Sequence, residues 1–155
     1  MVLTTQRKVT EAEYLALPET KPYLEFVFGE VRQKAMPNTD HVEIVDAVAA
    51  MARAYRQAQR GSHAGPEPRV RFETERGREY RLPDYAYWAP GRPFLDAGEM
   101  MPPTLAVEVR SPDETMTAQR EKCRYYRRYG VAVCWLFDPA SRTVEVFEEG
   151  RDGDP

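Results

Sequence analysis

At 155 residues the chain has the length of one folded domain, and its 42% hydrophobic and 30% charged side chains are ordinary for a globular protein. A net charge of −3 excludes a general nucleic-acid coat, which is basic overall, but leaves room for a local basic stripe. Two cysteines and two histidines, without ligand spacing, exclude a structural zinc site.

Taken in order, Thr10-Glu11-Ala12-Glu13 followed by Tyr14-Leu15-Ala16-Leu17 predicts a short capped helix ending at Pro18. Tyr23–Val27 and Glu30–Gln33 flank Phe28-Gly29 and read as a hairpin, although Phe is a weak turn former. From Asp40 to about Gln59, Val45, Val48, Ala49, Ala52 and Tyr55 recur at helical spacing, with Asp40 and Glu43 resembling a capping box. Arg60 to Pro68 reads as a loop rich in Gly, Pro and Ser. Strands are expected at Arg69–Phe72, Asp84–Trp88, Thr104–Arg110, Val131–Phe137 and Thr143–Phe147. Ala89 to Pro103 is a long Pro/Gly loop, a length often tied to function. Ser111-Pro112-Asp113-Glu114 marks a helix start with Ser111 as N-cap, and Gly130 marks its stop. Strand, helix, strand in that order implies a crossover and a parallel pair. Cys134, in an apolar run, reads as a buried thiol. Residues 1–148 form a single domain in this reading, and 149–155 an acidic, frayed tail. No apolar run approaches a membrane span, and Met1 to Arg7 has no signal-like stretch. A cytoplasmic protein with no membrane partner is expected.

The chemistry concentrates on two acids. In Thr104–Arg110 the residues Leu105, Val107 and Val109 alternate with Ala106, Glu108 and Arg110, so Glu108 and Arg110 share one strand face. A carboxylate in an apolar strand is costly to bury uncompensated. Asp84 follows Pro83 at the head of another strand. Two carboxylates converging on one point suit a hard cation such as Mg²⁺, and a neighbouring lysine or arginine suits a phosphate-like substrate. Blander uses exist for each. Asp84 could cap a turn, and Glu108 could pair with Arg110 or Lys122. The run Gln119–Arg128 could be a solvated helix face. Lys122 and Tyr126, four apart, share a face, so Lys122 reaches Glu108 only if that face meets the sheet. His41 could position a phosphate or a water, and Glu25 or Glu30 could add a third carboxylate, yet turn and outward-facing strand uses are simpler for them. Arg69, Arg71, Arg78 and Arg81 alternate with glutamates and read as surface charge.

An Asp after Pro, a strand ending Glu108-Val109-Arg110-Ser111-Pro112, a helix with Lys122 and Tyr126, Gly130 and Trp135-Leu136-Phe137-Asp138-Pro139 follow one another. Their order resembles the catalytic core of the PD-(D/E)XK restriction-endonuclease-like superfamily and, more narrowly, the Uma two family of bacterial endonucleases. The resemblance implies an α/β (α+β) fold, a restriction-endonuclease-like mixed β-sheet flanked by helices. It also implies Mg²⁺- or Mn²⁺-dependent hydrolysis of phosphodiester bonds in DNA. Asp84, Glu108 and the carbonyl of Val109 would hold the cation. The superfamily's lysine falls at Arg110, which cannot be deprotonated but can hold a phosphate. In the narrower family the lysine lies on the next helix, at Lys122, making Lys122 and Arg110 the remaining catalytic candidates. Phe28 departs from the acid usual before Gly29. By analogy a homodimer is expected. The alternative is a non-catalytic binding or regulatory module that keeps the fold.

Overall fold

The structure, a computed structural model, describes residues 7–152. The expectations for residues 1–6 and for the last three residues of the tail lie outside the described residues. Helix α1 (Glu11–Leu15) opens on the expected capping box: the Thr10 hydroxyl accepts the Glu13 amide, and the Glu13 carboxylate accepts the Thr10 amide. Strands β1 (Leu24–Val27) and β2 (Glu30–Gln33) pair antiparallel about Phe28 and Gly29, both at positive φ. Phe28 is poorly suited to that backbone. Its amide is held by the Glu79 carboxylate at 2.7 Å, and the Arg76 guanidinium lies 4.3 Å from its ring.

Helix α2 (Thr39–Arg56) is capped by Asn38, whose side chain accepts the His41 amide at 3.0 Å. This replaces the expected Asp40 cap, because Asn38 is the last extended residue before the helix and Asp40 is already inside it. The presumed loop after α2 contains β3 (His63–Pro66), an edge strand that tolerates Pro66. Then come β4 (Val70–Thr74), β5 (Gly77–Arg81) and β6 (Tyr85–Trp88). The long loop holds a two-residue pair, β7 (Leu95–Asp96) with β8 (Glu99–Met100). Beyond it lie β9 (Leu105–Val109), α3 (Met116–Arg128), β10 (Val133–Asp138), β11 (Thr143–Glu148) and β12 (Arg151–Asp152). Helix α3 starts later than expected. The Glu114 carboxylate takes the Ser111 amide in a turn, and the Thr115 hydroxyl caps the helix by accepting the Ala118 amide. At the other end Gly130, at φ 108, stops it. The start of the supposed frayed tail is paired instead, β12 lying antiparallel to β11.

The expected mixed α+β class holds, with its strands divided between two six-stranded sheets where one was expected. Their orders are β2-β1-β5-β4-β8-β7 and β12-β11-β10-β9-β6-β3. The crossover from β9 through α3 to β10 makes the expected parallel pair. Helix α3 lies between the sheets, so Val27 and Phe72 of the first share a core with Cys123, Tyr126, Cys134 and Leu136. On the far face of the second sheet, Val48 of α2 packs on Tyr85, Val107 and Val109. The sheets and α3 therefore converge at the end of β9. Among the described residues no helix is long and apolar enough to cross a membrane.

Candidate active site

Strands β6 and β9 are antiparallel with Tyr85 opposite Val107. One step further along that register Asp84 stands opposite Glu108, which brings the two acids together from chain positions far apart. Both are almost wholly buried, at 4% and 2% exposure. Asp84 Oδ2 accepts the Val109 amide at 2.8 Å and lies 3.2 Å from His41 Nε2; Oδ1 lies 2.9 Å from Lys34 Nζ. Lys34 leaves the end of β2 and also donates to the Leu82 carbonyl at 2.6 Å, while His41 arrives from the first turn of α2.

Glu108 is met from α3. The Tyr126 hydroxyl donates to its Oε1 at 2.6 Å, and Lys122 Nζ lies 3.2 Å from the same oxygen; Oε2 takes part in neither contact. The four-residue spacing puts Lys122 and Tyr126 on one helix face, and burial of Cys123 and Tyr126 turns that face to the sheet. Lys122 Nζ also lies 3.3 Å from Glu25 Oε1, and Glu25 Oε2 accepts the Leu82 amide at 2.7 Å. Glu25, Lys34, His41, Asp84, Glu108 and Lys122 all line a cleft of about 200 Å³.

Charge decides the protonation states. Burial pushes Glu108 up, to about 7; Lys122 opposes that rise and the Asp84 charge adds to it. Burial also disfavours charged Asp84, but Lys34 and the hydrogen bond with His41 outweigh it and hold the carboxyl well below its ordinary value. Burial acts to lower Lys122, yet Glu108 and Glu25 overcome it and hold the ammonium above its usual range. The hydrogen bond to Asp84 raises His41 against burial.

The structure brings Asp84, Glu108, Val109 and Lys122 together: strand spacing pointed to the two acids and the resemblance to Val109, and the Lys122 face, which the sequence left open, meets the sheet. It does not bring in Arg110. That side chain lies on the expected strand face but pairs with Asp138, at 2.9 Å from Nε and 2.7 Å from a terminal nitrogen, and donates to the Glu114 carbonyl. Arg110 thus ties the end of β9 to the end of β10. Glu30 stays outside as well, held by Lys8 and Arg32. Glu25 and His41, first read as bland, belong to the cleft, as does Arg81. Lys34 is the residue that sequence reasoning missed altogether. It stands in an irregular stretch between β2 and α2, where no periodicity marks a side chain as inward.

The donor set fits a hard divalent cation. Asp84, Glu108 and the Val109 carbonyl offer oxygen only, and Glu108 keeps one oxygen outside its two contacts. Among the described residues no three His, Cys, Asp or Glu side chains gather as a ready ligand shell. Mg²⁺ binds by one or two carboxylates and keeps several waters, so two acids suffice.

A family profile described as "Putative restriction endonuclease", Uma2, matches residues 11–154. No curated protein matches the chain. A crystal structure described as a "putative nuclease" from Anabaena variabilis is similar to it at 29% identity and a TM-score of 0.77, covering 95% of this chain and 82% of that one. With the match spanning all but the ends, the chain belongs to the Uma2 family.

Proposed function

We propose that this protein is a divalent-cation-dependent nuclease that hydrolyses phosphodiester bonds in DNA. The observation that carries the reading is the pairing of Asp84 with Glu108 across β6 and β9 on a cleft where Lys34 and Lys122 sit against them. Family membership and the likeness to the "putative nuclease" from Anabaena variabilis support it. Asp84, Glu108 and the Val109 carbonyl would hold Mg²⁺ or Mn²⁺. When bound, such a cation polarises a phosphoryl oxygen and lowers the pKa of a water.

The protein's own groups do the remaining work. Held charged by two carboxylates in the cation-free protein, Lys122 is not poised there to take a proton. Its ammonium instead offers positive charge where a phosphate gains negative charge during attack. Lys34 offers a second such charge, beside Asp84. The Tyr126 hydroxyl stays protonated and fixes the Glu108 carboxylate by donating to it. His41 and the Val109 amide fix Asp84 in the same way.

The test is nicking of supercoiled plasmid with Mg²⁺ or Mn²⁺, alongside calorimetric titration of the cation. Wild type binds the cation and nicks. Glu108→Gln loses both, and Lys122→Met keeps cation binding while losing roughly 100-fold or more in rate. Absence of both activities in the wild type would leave the acids as a structural ion-pair cluster, and the binding-module reading would take precedence.

A further inference from the structure

Two arginines are buried among the described residues, and their surroundings are opposite. Arg71, 3% exposed, is ringed by acids, with Glu73, Asp96 and Glu99 at 3.2, 2.6 and 3.4 Å. That is the ordinary way to bury a guanidinium. Arg81, 7% exposed at the end of β5, has no ion pair and no hydrogen bond among the described residues. Its Nε is shut away without an acceptor, and its terminal nitrogens, which also find none, keep a little open surface. A buried donor left unpaired costs free energy, most of all when it is charged, so its retention asks for a reason.

The acids that could have paired with it are engaged elsewhere. Glu79, two residues earlier and so on the same strand face, is held by Arg76, Tyr125 and the Phe28 amide. Glu25 meets Lys122 with one oxygen and the Leu82 amide with the other. Against burial, Lys122 and then Arg81 hold the Glu25 carboxyl below its ordinary value, so Arg81 stands within electrostatic reach of Glu25 without touching it. The Tyr125 ring lies 4.2 Å from the guanidinium carbon. A ring against one face fixes the plane and leaves the edge, which carries all the N–H donors, to an acceptor. Arg81 stands in the wall of the cleft with Asp84 and Glu108. The other cations of that wall, Arg32, Lys34, His41 and Lys122, each lie against a carboxylate already.

A planar cation with an unused donor edge suits an oxyanion that can offer two oxygens at once, above all a phosphate group. We propose that Arg81 is the phosphate-binding group of this cleft, taking two oxygens of a phosphate on its guanidinium edge before any divalent cation has entered. The proposal rests on the nuclease reading at one point alone, that the natural phosphate belongs to a DNA strand. In that setting Arg81 holds the phosphate from the first encounter, whereas Lys34 and Lys122 turn to it only once a cation takes their carboxylates.

The experiment titrates inorganic phosphate into the full chain, freed of metal by a chelator, at constant ionic strength. The arginine Nε–H signals are followed by NMR, and phosphorus line broadening reads binding in the variants. The Arg81 signal, identified by its loss in Arg81→Met, shifts saturably with a half-effect at a few millimolar, roughly. Arg81→Lys keeps the charge without the fork and binds phosphate about tenfold or more weakly. Arg81→Met binds none, and it melts within about 4 °C of wild type because no acid loses a partner. Should Arg81→Met melt lower, Arg81→Lys decides, since it keeps the buried charge. Undiminished phosphate binding in Arg81→Lys overturns the proposal, as does an Arg81 signal that does not respond, or acetate binding as tightly as phosphate. Plasmid nicking separates the two readings. Phosphate binding without nicking removes the nuclease and keeps the site, whereas nicking at the wild-type rate in Arg81→Lys, with no Arg81 response to phosphate, removes the site alone.

Discussion

The buried Glu108 carboxyl makes a prediction about stability against pH that is independent of any substrate. Its folded value is pushed from the ordinary 4.5 up to about 7, chiefly by burial. Between those two values the folded chain binds more proton at Glu108 than the unfolded chain does, so stability falls as pH rises. Worked through, the folded chain is about 3 kcal/mol less stable above pH 7 than below pH 4.5 on this account, or roughly 10 °C in Tm for a chain of this length. Asp84 has the opposite sign. Its lowered value adds stability that is present above the ordinary 3.8 and lost as the pH falls through the folded value. His41, raised by its bond to Asp84, adds stability that is complete below 6.5 and lost as the pH rises through its folded value. The profile should therefore climb from acid, peak near pH 4, between the ordinary values of Asp84 and Glu108, and decline toward about 7 through Glu108, with His41 extending the decline. Glu108→Gln should remove the first part of the decline. The slope is the diagnostic. The offset at any one pH also contains the lost Lys122 pair and the kept Tyr126 hydrogen bond. Denaturant melts of both proteins, without divalent cation, from about pH 4 to 9 measure it. An unchanged decline in Glu108→Gln, or no decline in the wild type, would refute the reasoning.

The cation should bind more tightly as pH rises, by up to tenfold for each pH unit below about 7 and little above it, because a proton competes for Glu108; calorimetry at a series of pH values checks this. Lys34→Met should cost about 2–4 kcal/mol in cation-free melts, since it leaves buried Asp84 with only His41 and the Val109 amide, and added Mg²⁺ should recover part of that loss. Arg110→Met should lower the melt by a similar amount through Asp138, which it would leave without its guanidinium partner. Thr115→Ala should cost about 1 kcal/mol as the loss of a true N-cap, whereas Ser111→Ala removes no cap from α3.

What could be read from the residues alone was local or periodic. The Thr10 capping box, the β9–α3–β10 crossover and the Gly130 stop each depend on neighbours a few positions apart, and each is present. The pairing of Asp84 with Glu108 was legible because both strands showed where they began. Strand β5 was not, since Glu79 and Arg81 are buried charged residues and break the apolar alternation that marks a strand. Glu79 is sheltered by Arg76, Tyr125 and the Phe28 amide, partners that no short window contains. Ser111 looked like a cap because the motif was right, but Glu114 spent its carboxylate on the Ser111 amide and left the capping to Thr115. Lys34 was invisible for the same physical reason: its carboxylate partner is 50 residues away.

On the proposed function the residues of this cleft serve folding and chemistry together. Glu25, Asp84 and Glu108 are three buried carboxylates, and Lys34, Arg81 and Lys122 line the cleft with them, as do Arg32 and His41. Without compensation each acid would cost several kcal/mol to bury. The two lysines supply that compensation directly, each lying against a carboxylate that would otherwise need a cation. A divalent ion entering between Asp84 and Glu108 would therefore free ammonium groups that are already charged and already in the cleft. Those groups would then be available to a phosphate in the proposed reaction. On the proposed function Lys34 and Lys122 would have two successive partners, carboxylate first and phosphate second, which would account for two lysines in a cleft where the shared sequence pattern implies one.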